Sequence, residues 1–385
     1  MAGVGVEPDV LVDAAVADTG LADFGAGAWR DGLDVFCAAL DAEADLNPMG
    51  VAVHEARIAH GLRQRLAVVD WYRRHPEIDA QPVSRPIIVV GLPRTGTTAL
   101  AHLLAADPDS RSLRTWEAGT PTPPPDEVTQ TTDERIAATQ AGIDMSHQLM
   151  PDLPRLYFAT ATSPSEALDL TGLSFRTFQW GGQARVHSYE DWLLGVDLAP
   201  GYEFQCQVHK LLQWRCPPRR WAWKNPPDLF ALPAVRAGFP DAIFVWTHRE
   251  PFAVMASVAS LVAVVRSMGT DRIDRIELGR RQVTLWGQAA DRGLAARSAL
   301  GEDVFVDVWM EDLADDPIAT MAALYDHLGW PFTAAAEDGM RAWLGGNPRH
   351  GRGGHDPDPA EFGIDPAAVG ERFEAYRRRF GRDAW

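Results

Sequence analysis

The chain has 385 residues, 46% of them hydrophobic, and a formal net charge of −17. Its length suits two average domains or one large α/β domain with additions, and its apolar share is enough for a full core, which excludes wholesale disorder. The acidic balance argues against a nucleic-acid-binding protein, which needs a broad cationic face. Any polyanionic ligand must therefore be held by a local cluster of basic side chains.

Cysteine usage and hydropathy predict a cytoplasmic protein without a membrane span. The three cysteines, Cys37, Cys206 and Cys216, are too few and too poorly spaced for a disulfide framework or a zinc site. The first residues lack the basic and apolar segments of a signal peptide. The longest apolar stretch, around Val254–Val265, contains serines and is too short to cross a bilayer.

The first 80 residues predict a helical N-terminal extension. Apolar side chains recur there at three- and four-residue spacing: Leu33, Phe36, Leu40, and then Leu62, Leu66, Val69. Prolines at positions 76, 82 and 86 interrupt the pattern. We therefore divide the chain into a helical extension over 1–80 and an α/β domain over 81–385.

A strand, a glycine-containing loop and a helix open the second part. The β-branched run Ile87–Val90 does not alternate with polar residues, which is typical of a parallel strand covered on both faces. It leads into Gly91–Thr98, which fits the spacing G-x-x-x-x-G-x-T, and then into a helix that Pro108 ends. Backbone N–H groups of such a loop and the positive end of the helix can bind a phosphate.

Three further short apolar runs, at 221–224, 242–246 and 304–308, predict strands. Between the first strand and these runs, residues 116–215 read as helical segments rich in aromatic side chains, preceded by an exposed connection at Pro121–Pro125. Strands that alternate with helices predict an α/β fold, a P-loop-like parallel sheet flanked by helices. Its ligand should bind at the carboxyl ends of the strands.

The loop departs from a nucleotide triphosphatase in an informative way. Such an enzyme needs a lysine at position 97, where this chain has Thr97, and the positive charge comes instead from Arg94. No apolar strand ends in an aspartate that would obviously hold magnesium. The loop is therefore predicted to bind phosphate without a triphosphate or a metal.

A second basic element follows the strand at 242–246. Arg249 comes just after this strand, and Ser257 lies eight residues later, about 9 Å along the next helix at 1.5 Å per residue. A guanidinium and a hydroxyl within that reach can hold one phosphomonoester. The alternative is that Arg249 pairs with Glu250 at the start of the helix.

The loop Pro93-Arg94-Thr95-Gly96-Thr97-Thr98, together with Arg249 and Ser257, resembles the family of sulfotransferases that use 3′-phosphoadenosine 5′-phosphosulfate (PAPS). The Pro-Arg form is similar to a bacterial group and to tyrosylprotein sulfotransferases. The resemblance covers about residues 30–385, and further segments agree with it: Arg220–Pro226, Phe239–Ala242, Met310–Leu313 and Glu361–Asp365.

The resemblance implies transfer of a sulfonate group from PAPS to a hydroxyl, with 3′,5′-adenosine bisphosphate as the product and no metal. It implies that the donor is bound by residues of both motifs: Arg94, Thr95, Gly96, Thr97, Thr98, Arg249 and Ser257. The family's active-site lysine matches Lys224, which would contact the sulfonyl or bridging oxygen beside Arg94.

Glu117, in a Trp-Glu pair that the bacterial group shares, is the candidate base for the acceptor hydroxyl. The alternative is an ion pair with a nearby arginine such as Arg114. His147, His209 and His248 are lesser candidates, because an isolated histidine is more often structural than catalytic.

Near the C-terminus, Arg349 and Arg352 resemble the basic segment that closes over the 3′-phosphate in the family, and residues 345–365 are predicted to form a lid. The Gly353–Asp356 segment departs from the group's pattern, which weakens any role for His355.

The aromatic segments within 116–215 suggest a small, apolar or aromatic acceptor, although such side chains are more often core. Two other functions stay open: a P-loop small-molecule kinase, and a sulfotransferase-like binding protein without catalysis. A homodimer is compatible with the sequence, but no residue pattern decides it.

Overall fold

The computed structural model describes residues 5–157, 159–347 and 357–382. Five parallel strands form a sheet in the order β2-β3-β1-β4-β5, with Val89 of the central strand opposite Lys224 and Gly91 opposite Thr247. The strands are β1 (Ile87–Gly91), β2 (Ser110–Arg111), β3 (Arg220–Lys224), β4 (Ile243–His248) and β5 (Phe305–Trp309). The predicted α/β fold is confirmed.

Helices cover both faces of the sheet. In chain order they are α1 (Pro8–Thr19), α2 (Trp29–Glu43), α3 (Pro48–Arg74), α4 (Thr97–Ala106), α5 (Thr115–Gly119), α6 (Glu134–Leu149), α7 (Leu153–Leu156), α8 (Leu168–Gly172), α9 (Gln179–Gln183), α10 (His187–Gly195), α11 (Ala199–Gln213), α12 (Leu232–Gly238), α13 (Pro251–Arg266), α14 (Arg275–Leu300), α15 (Met310–Asp315), α16 (Pro317–Leu328), α17 (Ala334–Gly346), α18 (Pro366–Arg372) and α19 (Glu374–Phe380). Short 3₁₀ turns lie at Pro76–Ile78, Pro226–Phe230, Glu302–Val304 and Pro359–Phe362.

The unbroken apolar run of β1 follows from this arrangement, because successive side chains of a strand point to opposite faces. Ile88 and Val90 pack into the larger hydrophobic cluster on one face. Ile87 and Val89 pack into a second cluster on the other face, with residues of α4 and α16. A strand buried on both faces has no position for a polar side chain.

The N-terminal helices α1 to α3 join the larger cluster. Leu33, Phe36, Leu62 and Leu66 are fully buried there, together with Phe175 from the middle of the chain. The helical extension thus forms one wall of the region that holds the aromatic segments. Within the described residues, no helix is both long enough and apolar enough to cross a membrane.

The connection at Pro121–Pro125 differs from the prediction. It was expected to be exposed, but only Pro123 of these five residues is exposed. The Thr122 hydroxyl donates to the Gln64 side chain at 2.7 Å, and Arg135 donates to the Pro123 carbonyl at 2.6 Å. These bonds hold the connection against α3 and α6, so its proline rings are covered.

Candidate active site

The phosphate loop makes a tight turn between β1 and α4. Gly91 and Gly96 have φ angles of 149° and 92°, which a side chain would strain, and a Cβ on Gly91 would lie 2.5 Å from the Thr247 Oγ1 atom. The Thr95 hydroxyl donates to the Leu92 carbonyl at 2.6 Å and lies 2.6 Å from Thr247 Oγ1. The loop is therefore fixed to β4, with Thr97 and Thr98 as the first residues of α4.

The segment Met310–Leu313 packs against the phosphate loop at Gly96. A Cβ on Gly96 would lie 2.6 Å from the Met310 sulfur and 3.4 Å from a Leu313 methyl carbon. Since both residues belong to α15, which follows β5 directly, the loop is packed between two strand ends. This segment of the family resemblance therefore contacts the loop through the side chains of Met310 and Leu313.

The two basic motifs meet at the carboxyl edge of the sheet. Arg94 donates from Nε to the Ser257 hydroxyl at 3.1 Å and from Nη1 to the Leu156 carbonyl at 2.6 Å. Arg249 donates to the main-chain carbonyl of Arg94 at 3.2 Å. Arg94 therefore contacts both Arg249 and Ser257, the two residues that the sequence predicts to hold one phosphate.

Burial, and then the neighbouring charge of Arg249, lowers the pKa of Arg94. Among the described residues, neither guanidinium has a carboxylate within ion-pairing distance; the Glu250 carboxylate instead caps α13 at the Ala253 N–H. Two adjacent cations with a hydroxyl and a helix N-terminus form a site for an anion. No group of three or more histidine, cysteine or acidic side chains in the described ranges could hold a metal ion.

Lys224 ends β3, next to the loop. Its side chain is 1% exposed, its Nζ atom donates to Glu166 Oε1 at 2.7 Å, and it lies 5.4 Å from the centre of the Tyr157 ring. Because Lys224 pairs in register with Val89, two residues before Gly91, the ammonium lies at the same sheet edge as the loop. Lys224 is therefore a buried lysine with a carboxylate partner, and a surface cap is excluded.

Glu117 is 0% exposed and both its oxygens have partners. Arg111 donates to Oε1 at 2.7 Å and the Arg114 N–H donates to Oε2 at 3.1 Å, so the carboxylate caps α5 inside the protein. The ion pair is with Arg111, whereas the sequence suggested Arg114. Arg111 also donates to two main-chain carbonyls, of Leu212 and Cys216.

The lesser histidine candidates lie in structural environments. His248 is fully buried between Asp307, 2.9 Å from Nε2, and the Tyr376 hydroxyl, 2.9 Å from Nδ1. His209 packs against Trp223, and burial lowers its pKa to about 4. His147 lies in the last turn of α6 and is partly exposed.

The C-terminal predictions are only partly described. Phe373, Tyr376 and Phe380 are buried, and the rings of Tyr376 and Phe380 pack against Trp246 and His248 of β4, with the Phe380 ring centre 3.9 Å from that of His248. These C-terminal residues therefore support the strand that precedes Arg249. Arg349, Arg352 and His355 lie outside the described residues, as does the centre of the predicted lid.

A cavity of about 380 Å³ lies next to α5, the helix that contains Glu117. It lies between α3, α5, α8 and α9, and its lining includes Ala118 and Gly119, which follow Glu117 directly. Asp169 also lines it, at the start of α8 and three residues after Glu166, whose backbone bridges to Lys224, so the cavity lies near the segment that pairs with Lys224.

Glu166 was missed in the sequence. It lies in the irregular segment before α8, where no periodic pattern marks a face, and its contact with Lys224 joins residues 58 positions apart. A neighbouring backbone bridge between Glu166 and Lys224 extends the edge of the sheet. Only the fold brings them together, so no sequence signal could have found this pair.

Comparison with known proteins places these motifs in one family. Residues 86–334 match a family model described as "Sulfotransferase family". The crystal structure of sulfotransferase STF9 from Mycobacterium avium is similar over 99% of this chain and 97% of that chain, with 28% identity and a TM-score of 0.88. That of sulfotransferase STF1 from Mycobacterium tuberculosis H37Rv is similar over 95% of this chain and 98% of that chain, with 31% identity and a TM-score of 0.85. No curated protein sequence matches the chain.

Proposed function

Because the chain belongs to the sulfotransferase family, we propose that it transfers the sulfonyl group of PAPS to a hydroxyl of a small acceptor. The observation that carries the proposal is the meeting of Arg94, Arg249 and Ser257 at one sheet edge, beside Lys224. The unpaired cysteines fit an enzyme of a reducing compartment such as the cytoplasm.

The phosphate groups of the donor have separate partners in this proposal. The loop N–H groups, Arg94 and the hydroxyls of Thr97 and Thr98 bind the 5′-phosphosulfate, since the glycine turns leave its backbone open to an anion. Arg249 and Ser257 bind the 3′-phosphate. Arg349 and Arg352 are also proposed to bind the 3′-phosphate, on the basis of the sequence resemblance alone.

The transfer itself is an in-line displacement. The acceptor oxygen forms a bond to sulfur while the bond from sulfur to the bridging oxygen breaks, and the electron pair stays on the phosphate of the departing 3′,5′-adenosine bisphosphate. Arg94 and Lys224 stabilise the charge that develops on that oxygen, and both are already fixed by hydrogen bonds before the reaction.

The acceptor proton must go to a base. The sequence suggests Glu117, but this carboxylate would first have to leave Arg111 and the cap of α5. Glu166 has a side chain that is 25% exposed, one oxygen on Lys224, and a position three residues before Asp169, which lines the cavity. A base must reach the proton that it removes, so these contacts favour Glu166 over Glu117.

Calorimetric titration with 3′,5′-adenosine bisphosphate, in parallel with ATP and magnesium, tests the proposal. We expect micromolar binding of the bisphosphate, weakened about tenfold or more in Arg249→Ala and in Ser257→Ala, because each variant removes a partner of the phosphate. Arg219→Ala, which removes an exposed arginine paired with Asp109 on the surface, is the matched control. Binding of ATP without binding of the bisphosphate would favour a kinase instead.

A further inference from the structure

The cavity between α3, α5, α8 and α9 is the right size for a small molecule. Its volume of about 380 Å³ falls within the range of about 300–1,000 Å³ found for ligand pockets. Aromatic side chains of Phe175 and Trp180 form part of its wall. Its lining residues Ala118 and Asp169 follow Glu117 by one residue and Glu166 by three, so a bound molecule would lie near both candidate bases.

The polar part of the lining is dense and mixed. Arg57 and His60 come from α3, Asp169 from α8, and Gln179 and Gln183 from α9. They are cross-linked by hydrogen bonds: Arg57 donates to the Gln183 amide oxygen, and Gln179 donates to Asp169 at 2.6 Å. Donors and acceptors from three helices thus surround one space.

The charges of this lining nearly cancel. Burial lowers the pKa of Arg57, which within the described residues interacts with Asp169 through charge but forms no ion pair with it. Burial also raises the pKa of Asp169, although hydrogen bonding from Gln179 and the charge of Arg57 act in the opposite direction. The cavity therefore has no strong preference for either an anion or a cation.

We propose, on the basis of the sulfotransferase function above, that this cavity binds the acceptor and that the acceptor is an uncharged polyol, such as a sugar. Each hydroxyl of a polyol both donates and accepts, so several of them can satisfy the mixed amide, guanidinium, imidazole and carboxyl groups. The C–H faces of such a ring pack against aromatic side chains. A phenol or fatty alcohol offers one hydroxyl and can bond to fewer of these groups, which would keep their bonds to protein atoms but gain no partner in the ligand.

This proposal differs from the apolar or aromatic acceptor expected from the sequence. That expectation came from the aromatic residues of 116–215, of which Phe175 and Trp180 contribute to the cavity. The polar side chains that accompany them come from α3 as well, so they could not be assigned to one site before the fold was known.

Filling the cavity tests its role. A Cβ added to Gly61, in the middle of α3, would have Phe175 Cζ as its nearest neighbour at 3.9 Å, so Gly61→Leu places a side chain in the cavity without a clash at the backbone. Leucine also has a higher helix propensity than glycine. Gly119→Leu is a second variant, since its Cβ meets no atom within 4 Å. The control is Gly142→Leu, at an exposed position of α6 whose Cβ also meets nothing.

Activity is measured as transfer of label from ³⁵S-labelled PAPS to two panels of probes, one of methyl hexosides, disaccharides and inositol, the other of 2-naphthol and 1-octanol. We expect label on the polyols, reduced about tenfold or more in Gly61→Leu and unchanged in Gly142→Leu, with binding of adenosine bisphosphate intact in both. Label confined to the apolar panel, or absent from both panels, would overturn the polyol class. Label on polyols that neither cavity variant reduces would overturn the site. Failure of the unmutated protein to bind the bisphosphate would overturn the proposed function itself.

Discussion

Replacing each candidate base by glutamine separates a structural carboxylate from a catalytic one. In Glu117→Gln, the side chain keeps its shape and can still accept from the Arg114 N–H, but the Arg111 guanidinium loses its charge partner while it stays buried. Removing one member of a buried ion pair costs about 3–5 kcal/mol. Arg111 retains two carbonyl partners, so we expect the lower end, about 3 kcal/mol.

This cost converts into a measurable change in melting temperature. An unfolding entropy of about 2.1 cal/mol/K per residue gives about 0.8 kcal/mol/K for 385 residues, so Glu117→Gln should lower Tm by about 4 °C. Glu166→Gln also removes the charge partner of a buried cation, Lys224, although Glu166 is 25% exposed and the amide oxygen still accepts from Lys224, so it should lower Tm by at most about 4 °C. The main effect of Glu166→Gln should be on the rate of transfer, because a general base contributes about 10²- to 10⁴-fold to the rate.

The assay combines differential scanning fluorimetry with transfer from labelled PAPS for both variants. Glu166→Asp, which keeps a carboxylate, should recover part of the rate that Glu166→Gln loses. If Glu117→Gln melted like the unmutated protein yet lost the activity, while Glu166→Gln kept it, Glu117 would be the base and the preference for Glu166 would be wrong.

Two further predictions concern charge at the site and in the core. Lys224→Met fills the same space without the charge, and we expect kcat to fall about 10²- to 10³-fold while the affinity for adenosine bisphosphate changes little; an equal loss in both would indicate a binding role instead. Burial lowers the pKa of His54 and of His209 to about 4, below the unfolded value of about 6.5. The unfolded chain then binds more protons, so stability is complete above about pH 6.5 and falls toward pH 4. Urea midpoints measured across this range should decrease as the pH is lowered, and less steeply in His54→Phe; identical slopes would refute the assignment.

The elements nearest the site could be predicted because their local sequence and their tertiary role agree. Ile87–Val90 is a strand with both faces buried, and Gly91 and Gly96 occupy backbone conformations that glycine favours. The Arg249 strand and the helix that carries Ser257 followed from equally direct patterns, and their meeting with the loop was expected from the edge rule for parallel sheets.

The remainder depends on contacts between distant segments. β2 has two residues, too few for a periodic pattern, and is fixed only by its pairing with β3. Glu166 is a candidate base only because of its contact with Lys224. Pro121–Pro125 is covered because Gln64 and Arg135 form hydrogen bonds with it from two different helices. Glu117 shows the converse: its Trp-Glu context was visible, but its pairing with Arg111 was not.

The proposed anion site should lower the stability of the free protein, and binding of the nucleotide should offset this loss. Arg94 and Arg249 lie together, Arg94 is partly buried, and the charge of Arg249 lowers the pKa of Arg94 in addition to the effect of burial. Because a site prepared for an anion destabilises the free protein, Arg249→Ala without ligand should melt at the same temperature as the unmutated protein or higher.

With the bisphosphate at about 100 times its Kd, the unmutated protein should gain about 2.7 kcal/mol, or about 3 °C for this length, and Arg249→Ala far less. Arg249→Ala should thus leave the free protein at least as stable, but reduce its stabilisation by the bisphosphate. Replacing an arginine with a purely structural role would not produce both results. A lower Tm for free Arg249→Ala, with an undiminished gain from the bisphosphate, would show that Arg249 supports the fold and does not bind the phosphate.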